Sequence, residues 1–433
     1  MFLIICVFIF IFIFTFLSLA FLYRQRVDCH LAAVVVLGDV GRSPRSMYHA
    51  LSLLDNGYDV MLVGYKGSTP IEQLENKRVK LCTIDTPSNQ RMATRIITQT
   101  FSLLSLFLAS KRIPMWTLFQ TPPAIPTLVV AQLLRIITGT RIIIDWHNTA
   151  FSLLALKWGK AHPLVRLSMC IERVAGKVAD VHLFVTHAMR IQLSYEWGLT
   201  GKKLTLHDKP LSTFKRLSLT ERGSLLSRLN LTDDPAFHPS SSDTDVRTAL
   251  LVTSTSWTPD EDFDMLLSAL ETYEKAKASS GNSQLPNILL AITGRGPLKQ
   301  EFEKRVHHLE KTWKCVRVCT VWLEPHDYPK LLGAAHLGLS FHSSSSGLDL
   351  PMKVVDMFGA GLPVCALNFA CLHELVVDGV NGLTFESGTQ LGGQLVDLLA
   401  SKNKLSNLRD YLAHSADADW QTNWNTHLNV LLE

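Results

Sequence analysis

Residues 31–45, LAAVVVLGDVGRSPR, run seven apolar residues straight into Gly-Asp-x-Gly and two arginines. An unbroken apolar run of that length fits a strand buried on both faces, as in a parallel sheet covered by helices. The glycines at its carboxyl end mark a turn, and Ser46–Leu54 continues with helical patterning. Gly57 then separates this helix from Asp59–Val63, a second apolar run ended by Gly64. Further strand-like runs follow at Val79–Ile84, Met115–Phe119, Arg141–Ile144 and Val181–Val185, with helical stretches between them. The alternation predicts a doubly wound α/β domain over residues 30–214.

Residues 215–248 interrupt it. They hold the Ser/Asp/Pro-rich stretch TDDPAFHPSSSDTD and read as a linker or surface loop. The alternation restarts over 249–415, with strands expected at Thr248–Val252, Asn287–Thr293, Val316–Thr320, Leu337–Phe341, Pro363–Ala366, His373–Val377 and Gly382–Phe385. Residues 416–433 read as a helical tail. The fold class expected is α/β, two Rossmann-like domains facing a cleft.

Composition narrows the function. The net charge is +4, from 42 basic and 38 acidic residues, which argues against nucleic acid as a partner. The eight cysteines show no zinc spacing and read as reduced buried thiols. Residues 2–23, FLIICVFIFIFIFTFLSLAFLY, carry no charge, and seventeen of them are Leu, Ile, Phe or Val. As a helix this stretch would span roughly 33 Å, so it reads as one transmembrane signal anchor. The first basic residues, Arg24 and Arg26, follow it, which predicts an outside amino terminus and a cytosolic body. The apolar stretches Phe101–Ala109 and Leu128–Ile137 read as core helices, with membrane contact as the alternative.

Four clusters could carry chemistry, each where a strand should pass into a helix, the ligand-binding edge of such sheets. In GDVGRSPR, the glycines let amides approach an anion, and Arg42 and Arg45 add bidentate phosphate donors. In Ile142–Asn148, IIIDWHN, a buried strand ends on Asp145, His147 and Asn148. TGRGPL places Arg295 between two glycines, suited to a phosphate. The longest is Ser343–Val364, SSSSGLDLPMKVVDMFGAGLPV. Here Ser345, Ser346 and Gly347 offer hydroxyls and amides, and Lys353 can compensate leaving-group charge. Asp349 and Asp356, seven apart, would share a face of one continuous helix and suit a sugar and a ribose. The Asp-x-Asp pairs read as helix-start, linker and tail residues, so no metal and no cofactor are expected.

These runs, together with DKP at Asp208–Pro210 and STSWTPDEDF at Ser254–Phe263, resemble those of the chitobiosyldiphosphodolichol β-mannosyltransferase family. The resemblance covers residue 31 to the carboxyl terminus. It implies a GT-B enzyme using GDP-mannose as donor and dolichol-linked GlcNAc2 diphosphate as acceptor, on the cytosolic face of the endoplasmic reticulum membrane. It also implies other mannosyltransferases of the pathway as partners. Retaining GT-B enzymes carry two glutamates, and Asp356 matches the second while Leu348 occupies the first. That departure agrees with an inverting enzyme. Asp39 is then expected as general base, with His147 at the donor sugar, Arg295, Lys353 and the serine loop on GDP, and Arg42 and Arg45 on the acceptor diphosphate. Two alternatives stay open: an inactive membrane scaffold, and an enzyme using a uridine nucleotide sugar.

Overall fold

The computed structural model describes residue 15 and residues 17–85, 91–231, 234–240, 246–258, 261–280, 285–324, 326–344, 346–414 and 420–429. The chain divides into two units, one of Met1–His207 with Trp420–Glu433 and one of Asp208–Asp419.

In the first unit the strands are β1 (Val27–Asp39), β2 (Asp59–Tyr65), β3 (Val79–Ile84), β4 (Ile113–Thr121), β5 (Arg141–Trp146), β6 (Val178–Phe184) and β7 (Thr200–Thr205). They pair in parallel in the order β3-β2-β1-β4-β5-β6-β7. Ala32, Ala33, Val34 and Val35 are all fully buried, so both faces of β1 are covered. This is why the run is apolar without alternation. Each such valine contributes about 1.5–3 kcal/mol through burial. The direction of winding reverses between β1 and β4, which makes the carboxyl end of β1 the switch point where such sheets bind ligands. The following helix, Pro44–Asp55, opens with proline at its first position, where the missing N–H costs nothing.

The helix Thr127–Thr138 belongs to the core, since Leu128, Val130, Ala131 and Leu134 are fully buried. The helix Met92–Leu108 is two-faced, with Leu103 and Phe107 buried and Ile97 and Phe101 exposed. The tail folds as a short helix, Trp420–Trp424, and a π turn, Asn425–Asn429, and lies on the helix Pro44–Asp55. It belongs to the first unit although it follows the second in sequence.

The second unit holds β8 (Thr248–Ser254), β9 (Asn287–Thr293), β10 (Val316–Val321), β11 (Leu337–Ser340), β12 (Val364–Leu367) and β13 (Gly382–Phe385), all parallel, in the order β10-β9-β8-β11-β12-β13. Alternate residues of β8 feed opposite cores, Ala249 and Leu251 into one, Leu250 and Val252 into the other.

Several expectations need correction. Residues 215–248 are not wholly a loop. Leu219–Leu229 is a helix, started by a capping box in which the Ser218 hydroxyl accepts from the Glu221 amide and Glu221 accepts from the Ser218 amide. The run His373–Val377 makes no strand, and Leu372–Glu374 is a 3-10 turn. Cys29 and Cys170 are exposed rather than buried, and the other described cysteines are free too. Most of the anchor segment, residues 2–14 and 16, lies outside the described residues. Residues 17–24 are helical, with Leu17, Leu19, Phe21 and Leu22 exposed. Among the described residues no helix is long and apolar enough to cross a membrane.

Candidate active site

At the end of β1, Asp39 caps a 3-10 turn, Val40–Arg42, by accepting from the Gly41 amide at 3.1 Å. It also accepts from the Ser68 amide at 2.9 Å and the Ser68 hydroxyl at 2.9 Å. Burial pushes this carboxyl up, but the Ser68 and Gly41 bonds and the Arg42 charge outweigh it and hold Asp39 below the ordinary range. A side chain at Gly67 would collide with the carboxylate, so that glycine is what lets the Ser68 loop close over it. Asp39 thus fastens two loops. A carboxylate with this many donors is a weak base. Arg42 stays 80% exposed beside it, its Nε donating to the Ser68 hydroxyl at 3.1 Å.

At the end of β5 the arrangement is different. Asp145 is fully buried and receives Arg45, whose Nη2 donates to Oδ1 and whose Nε donates to Oδ2, both at 2.9 Å. Arg45 Nη1 donates to the Leu206 carbonyl at 2.8 Å. His147 Nε2 lies 2.9 Å from Asp145 Oδ2. His49 Nε2 lies 3.4 Å from the same oxygen. Burial raises the Asp145 carboxyl, but Arg45 and His147 overwhelm that and keep it ionised, well below its usual range. An ionised carboxylate only accepts, so the proton of a neutral His147 sits on Nε2 and the lone pair on Nδ1. This is the base-plus-orienter arrangement of nucleophilic and acyl-transfer enzymes. His147 keeps 23% of its side chain exposed while Asp145 has none.

In the second unit the strand ends surround a cavity of about 550 Å³, lined among others by Ser254, Thr293, Gly294, Trp322, His342 and Lys353. Lys353 Nζ donates to the Ser254 carbonyl at 2.6 Å and pairs with the buried Glu261, which also accepts from the Thr255 hydroxyl. The Arg295 guanidinium stacks over the exposed Trp322 ring, 3.5 Å from its centre. Gly294 has φ of +133°, and a Cβ there would strike the Thr255 carbonyl, so only glycine lets the β8 and β9 loops meet. The serine loop wraps Asp349: the Ser344 hydroxyl donates to it, Ser346 Oγ lies 3.4 Å away, and both hydroxyls accept from the Leu348 amide. His342 Nε2 lies 3.6 Å from Asp349. Burial, and then Asp208, push the Asp356 carboxyl up to about 7.

Two cations at the ends of parallel strands, around a cavity of nucleotide size, suit a diphosphate. The Glycosyl transferases group 1 family matches residues 247–401, which span this cavity. Chitobiosyldiphosphodolichol beta-mannosyltransferase of Mus musculus is 40% identical over 442 residues, covering 94% of this chain and 90% of its own length. The chain belongs to the chitobiosyldiphosphodolichol beta-mannosyltransferase family. It is a glycosyltransferase. The UDP-glycosyltransferase TURAN of Arabidopsis thaliana is 38% identical over 415 residues, covering 85% and 88%. The structure of WaaG, a glycosyltransferase involved in lipopolysaccharide biosynthesis, aligns with a TM-score of 0.63 at 14% identity over 92% of this chain and 98% of its own. That similarity speaks for the fold, GT-B.

For a member of this mannosyltransferase family, the expected site residues sort unevenly. Arg295, Ser346, Gly347, Asp349 and Lys353 lie in the segments that follow β9 and β11, Asp356 lies inside the helix Met352–Gly359, and Ser345 is outside the described residues. Asp349 and Asp356 do not share a helix face, because Pro351 starts the helix Met352–Gly359 after Asp349. Arg45 cannot meet an acceptor diphosphate, being 3% exposed and committed to Asp145. Glu261, in a run expected only to open a helix, instead turns inward to Lys353; its neighbour Asp262 does the capping, accepting from the Asp264 and Met265 amides. Glu261 and Trp322 were not among the expected residues, and Asp145 was expected at the cleft edge without a role as partner of His147. The i, i+2 step from Asp145 to His147 was the available signal for that pairing.

Proposed function

We propose that this protein transfers mannose from GDP-mannose to the 4-hydroxyl of the terminal sugar of GlcNAc2-diphosphodolichol, with inversion, as the first mannosylation of the lipid-linked oligosaccharide. The mannose and the acceptor follow the names of the relatives in its family. The observation that carries the chemistry is the His147–Asp145 pair, a partly open imidazole oriented by a buried carboxylate.

In this reading His147, rather than Asp39, is the base. Nδ1 takes the proton of the acceptor hydroxyl as its oxygen bonds to the anomeric carbon of mannose. The bond from that carbon to the β-phosphate oxygen breaks on the opposite face, and its electron pair leaves with GDP. Lys353 and Arg295 stabilise the departing charge, a role given to fixed cations in phosphate-leaving reactions. The α-linked donor thereby becomes a β1,4 link in a single displacement. Leu348 supports this: it is 8% exposed and stands where retaining enzymes carry a glutamate. The exposed Arg42 stands ready for the acceptor diphosphate. Asp349 and Asp356 serve the donor sugar and ribose.

The amino-terminal segment would anchor the enzyme as a single pass in the endoplasmic reticulum membrane, with both units cytosolic. Other mannosyltransferases of the pathway are its expected partners. Turnover should survive EDTA, since Asp262 caps a helix and Asp264 pairs with Arg305. Strict metal dependence would overturn that part.

The deciding experiment offers the detergent-solubilised enzyme labelled GDP-mannose or UDP-GlcNAc, with and without lipid acceptor. Label should move from GDP-mannose alone, and only when acceptor is present. The Arabidopsis relative's name favours a second reading, a uridine nucleotide sugar, and transfer from UDP-GlcNAc would establish it. No transfer from either donor would point to a scaffold.

A further inference from the structure

The tail is joined to Asp145 by a continuous chain of buried polar groups. Trp424 Nε1 donates to His49 Nδ1 at 3.1 Å, with Trp424 1% and His49 0% exposed. An indole N–H can only donate, so Nδ1 of His49 must be the accepting nitrogen and its proton must sit on Nε2. That Nε2 faces Asp145 Oδ2 at 3.4 Å, the oxygen that also receives His147 Nε2 at 2.9 Å. Two imidazoles therefore face one carboxylate oxygen: His147 hydrogen-bonds it, while His49 makes a longer contact that leaves its buried Nε2 without a hydrogen-bond partner, so any charge on His49 acts directly on Asp145. A protonated His49 would set an N–H against the Trp424 N–H. Burial of His49 likewise favours its neutral form.

The groups facing Asp145 are few. Arg45 and His49 come from the helix Pro44–Asp55, His147 from beyond the end of β5, and the Thr121 hydroxyl donates to the Asp145 backbone carbonyl at 3.3 Å. The tail touches two of these. The Trp420 ring lies 5.3 Å from the Arg45 guanidinium and meets the edge of His49 at 5.1 Å. Its placement is fixed further along, by Ser52 of the same helix donating to Gln421 at 2.8 Å and by the capping Asn56 donating to Asn425 at 2.9 Å.

We propose that the carboxyl-terminal segment from Trp420 to Asn425 positions and tunes the His147 base through Trp424, His49 and Asp145. Trp424 acts as a positioning residue: its N–H keeps His49 a neutral donor at Nε2, so Asp145 keeps its charge for His147. The proposal rests on the reading of His147 as the base. Without the indole N–H, His49 is free to gain a second proton, and the added positive charge beside Asp145 weakens its pull on His147.

The test uses the full-length enzyme in detergent with GDP-mannose and lipid acceptor, measuring kcat, donor KM and the acidic limb of kcat/KM against pH. Trp424→Phe keeps the ring and removes the donor. It should lower kcat about three- to tenfold, move the acidic limb down by roughly half a unit, and leave donor KM unchanged. In a His49→Gln background, where the amide accepts from Trp424 and donates to Asp145 but takes no proton, Trp424→Phe should no longer move the limb. A packing role alone would lower the melting temperature and leave the limb in place. Should Trp424→Phe fold poorly, His49→Met examines the same link by freeing Oδ2 for His147, and the limb should then move up. An unmoved limb in the folded variants overturns the relay. If His147→Ala retains turnover, the base assignment itself fails; if it loses turnover while the limb of Trp424→Phe matches wild type, the relay alone fails.

Discussion

The two units have the same strand order around the switch point, 3-2-1-4-5-6 in each, yet equip the carboxyl edge in opposite ways. In the first, the carboxylates at the strand ends are committed to neighbours: Asp39 to the Ser68 and Gly41 amides, Asp145 to Arg45 and His147 with His49 facing it. What stays open is the partly exposed His147 imidazole and, beside Asp39, the exposed Arg42. In the second, Lys353 and Arg295 line or border an open cavity, Lys353 leaning on Glu261 and the Ser254 carbonyl and Arg295 on Trp322. The difference teaches that one topology can either neutralise charge to orient a proton acceptor or keep cations available for an anionic leaving group.

The sharpest way to break this contrast is to compare His147→Ala with Asp39→Asn. General-base assistance is worth about 10²–10⁴-fold, so His147→Ala should lose that much turnover while still binding GDP. Asp39→Asn should lose far less, because its carboxylate serves the loops. If Asp39→Asn is the dead variant and His147→Ala works, the two edges have been assigned backwards. Next comes the buried pair. Arg45→Met strands Asp145 without its counter-ion, which should cost about 3–5 kcal/mol of stability, read in a denaturant melt. Arg42→Ala, exposed, should stay within about 0.5 kcal/mol and affect only acceptor KM. Equal melts for the two would refute the buried role of Arg45.

In the second unit, Lys353→Ala should cost about 1.5–3 kcal/mol in donor kcat/KM, roughly 10- to 100-fold, the worth of a charged hydrogen bond. Normal turnover at every donor concentration would remove Lys353 from the phosphate site. The smallest effect concerns Asp356. Its carboxyl is raised to about 7 by burial and by Asp208, so the folded state binds a proton that the unfolded chain has released. The stability it contributes is therefore full below pH 4 and lost as pH rises through 7. Asp356→Asn should melt higher than wild type at pH 8, by about 2–4 °C, and show no such gain at pH 4. A gain of equal size at both pH values would mean the carboxyl is not the cause.

Much of the fold could be read from the chain because parallel strands buried on both faces are written as unbroken apolar runs. Where that rule lapses, so does the reading. β7, TGKKLT, is a polar edge strand with Lys202 exposed and Lys203 half-buried, and carries no apolar signature. The run His373–Val377 is apolar enough for a strand, yet Leu372 and Val376 are buried from a turn. The helix Leu219–Leu229 did announce itself, through Ser218 and Glu221, but the polar stretch after it masked the signal. Site residues divide similarly. Arg295, in a loop between glycines, and Lys353, at a helix start after the serine loop, were legible from their place after strands. The fate of Arg45 was not, because its partner Asp145 lies 100 residues away. Glu261 was hidden for the same reason, its partner Lys353 being 92 residues distant.

The discontinuity of the first unit reverses the order in which the chain can finish folding. Residues 208–419 are all synthesised before Trp420 and Trp424, so every element of the second unit precedes the last piece of the first. Until those tryptophans arrive, Ser52 and His49 lack their indole donors. A premature stop at codon 420 would leave the second unit's sequence whole and injure the first, the one that began synthesis earliest.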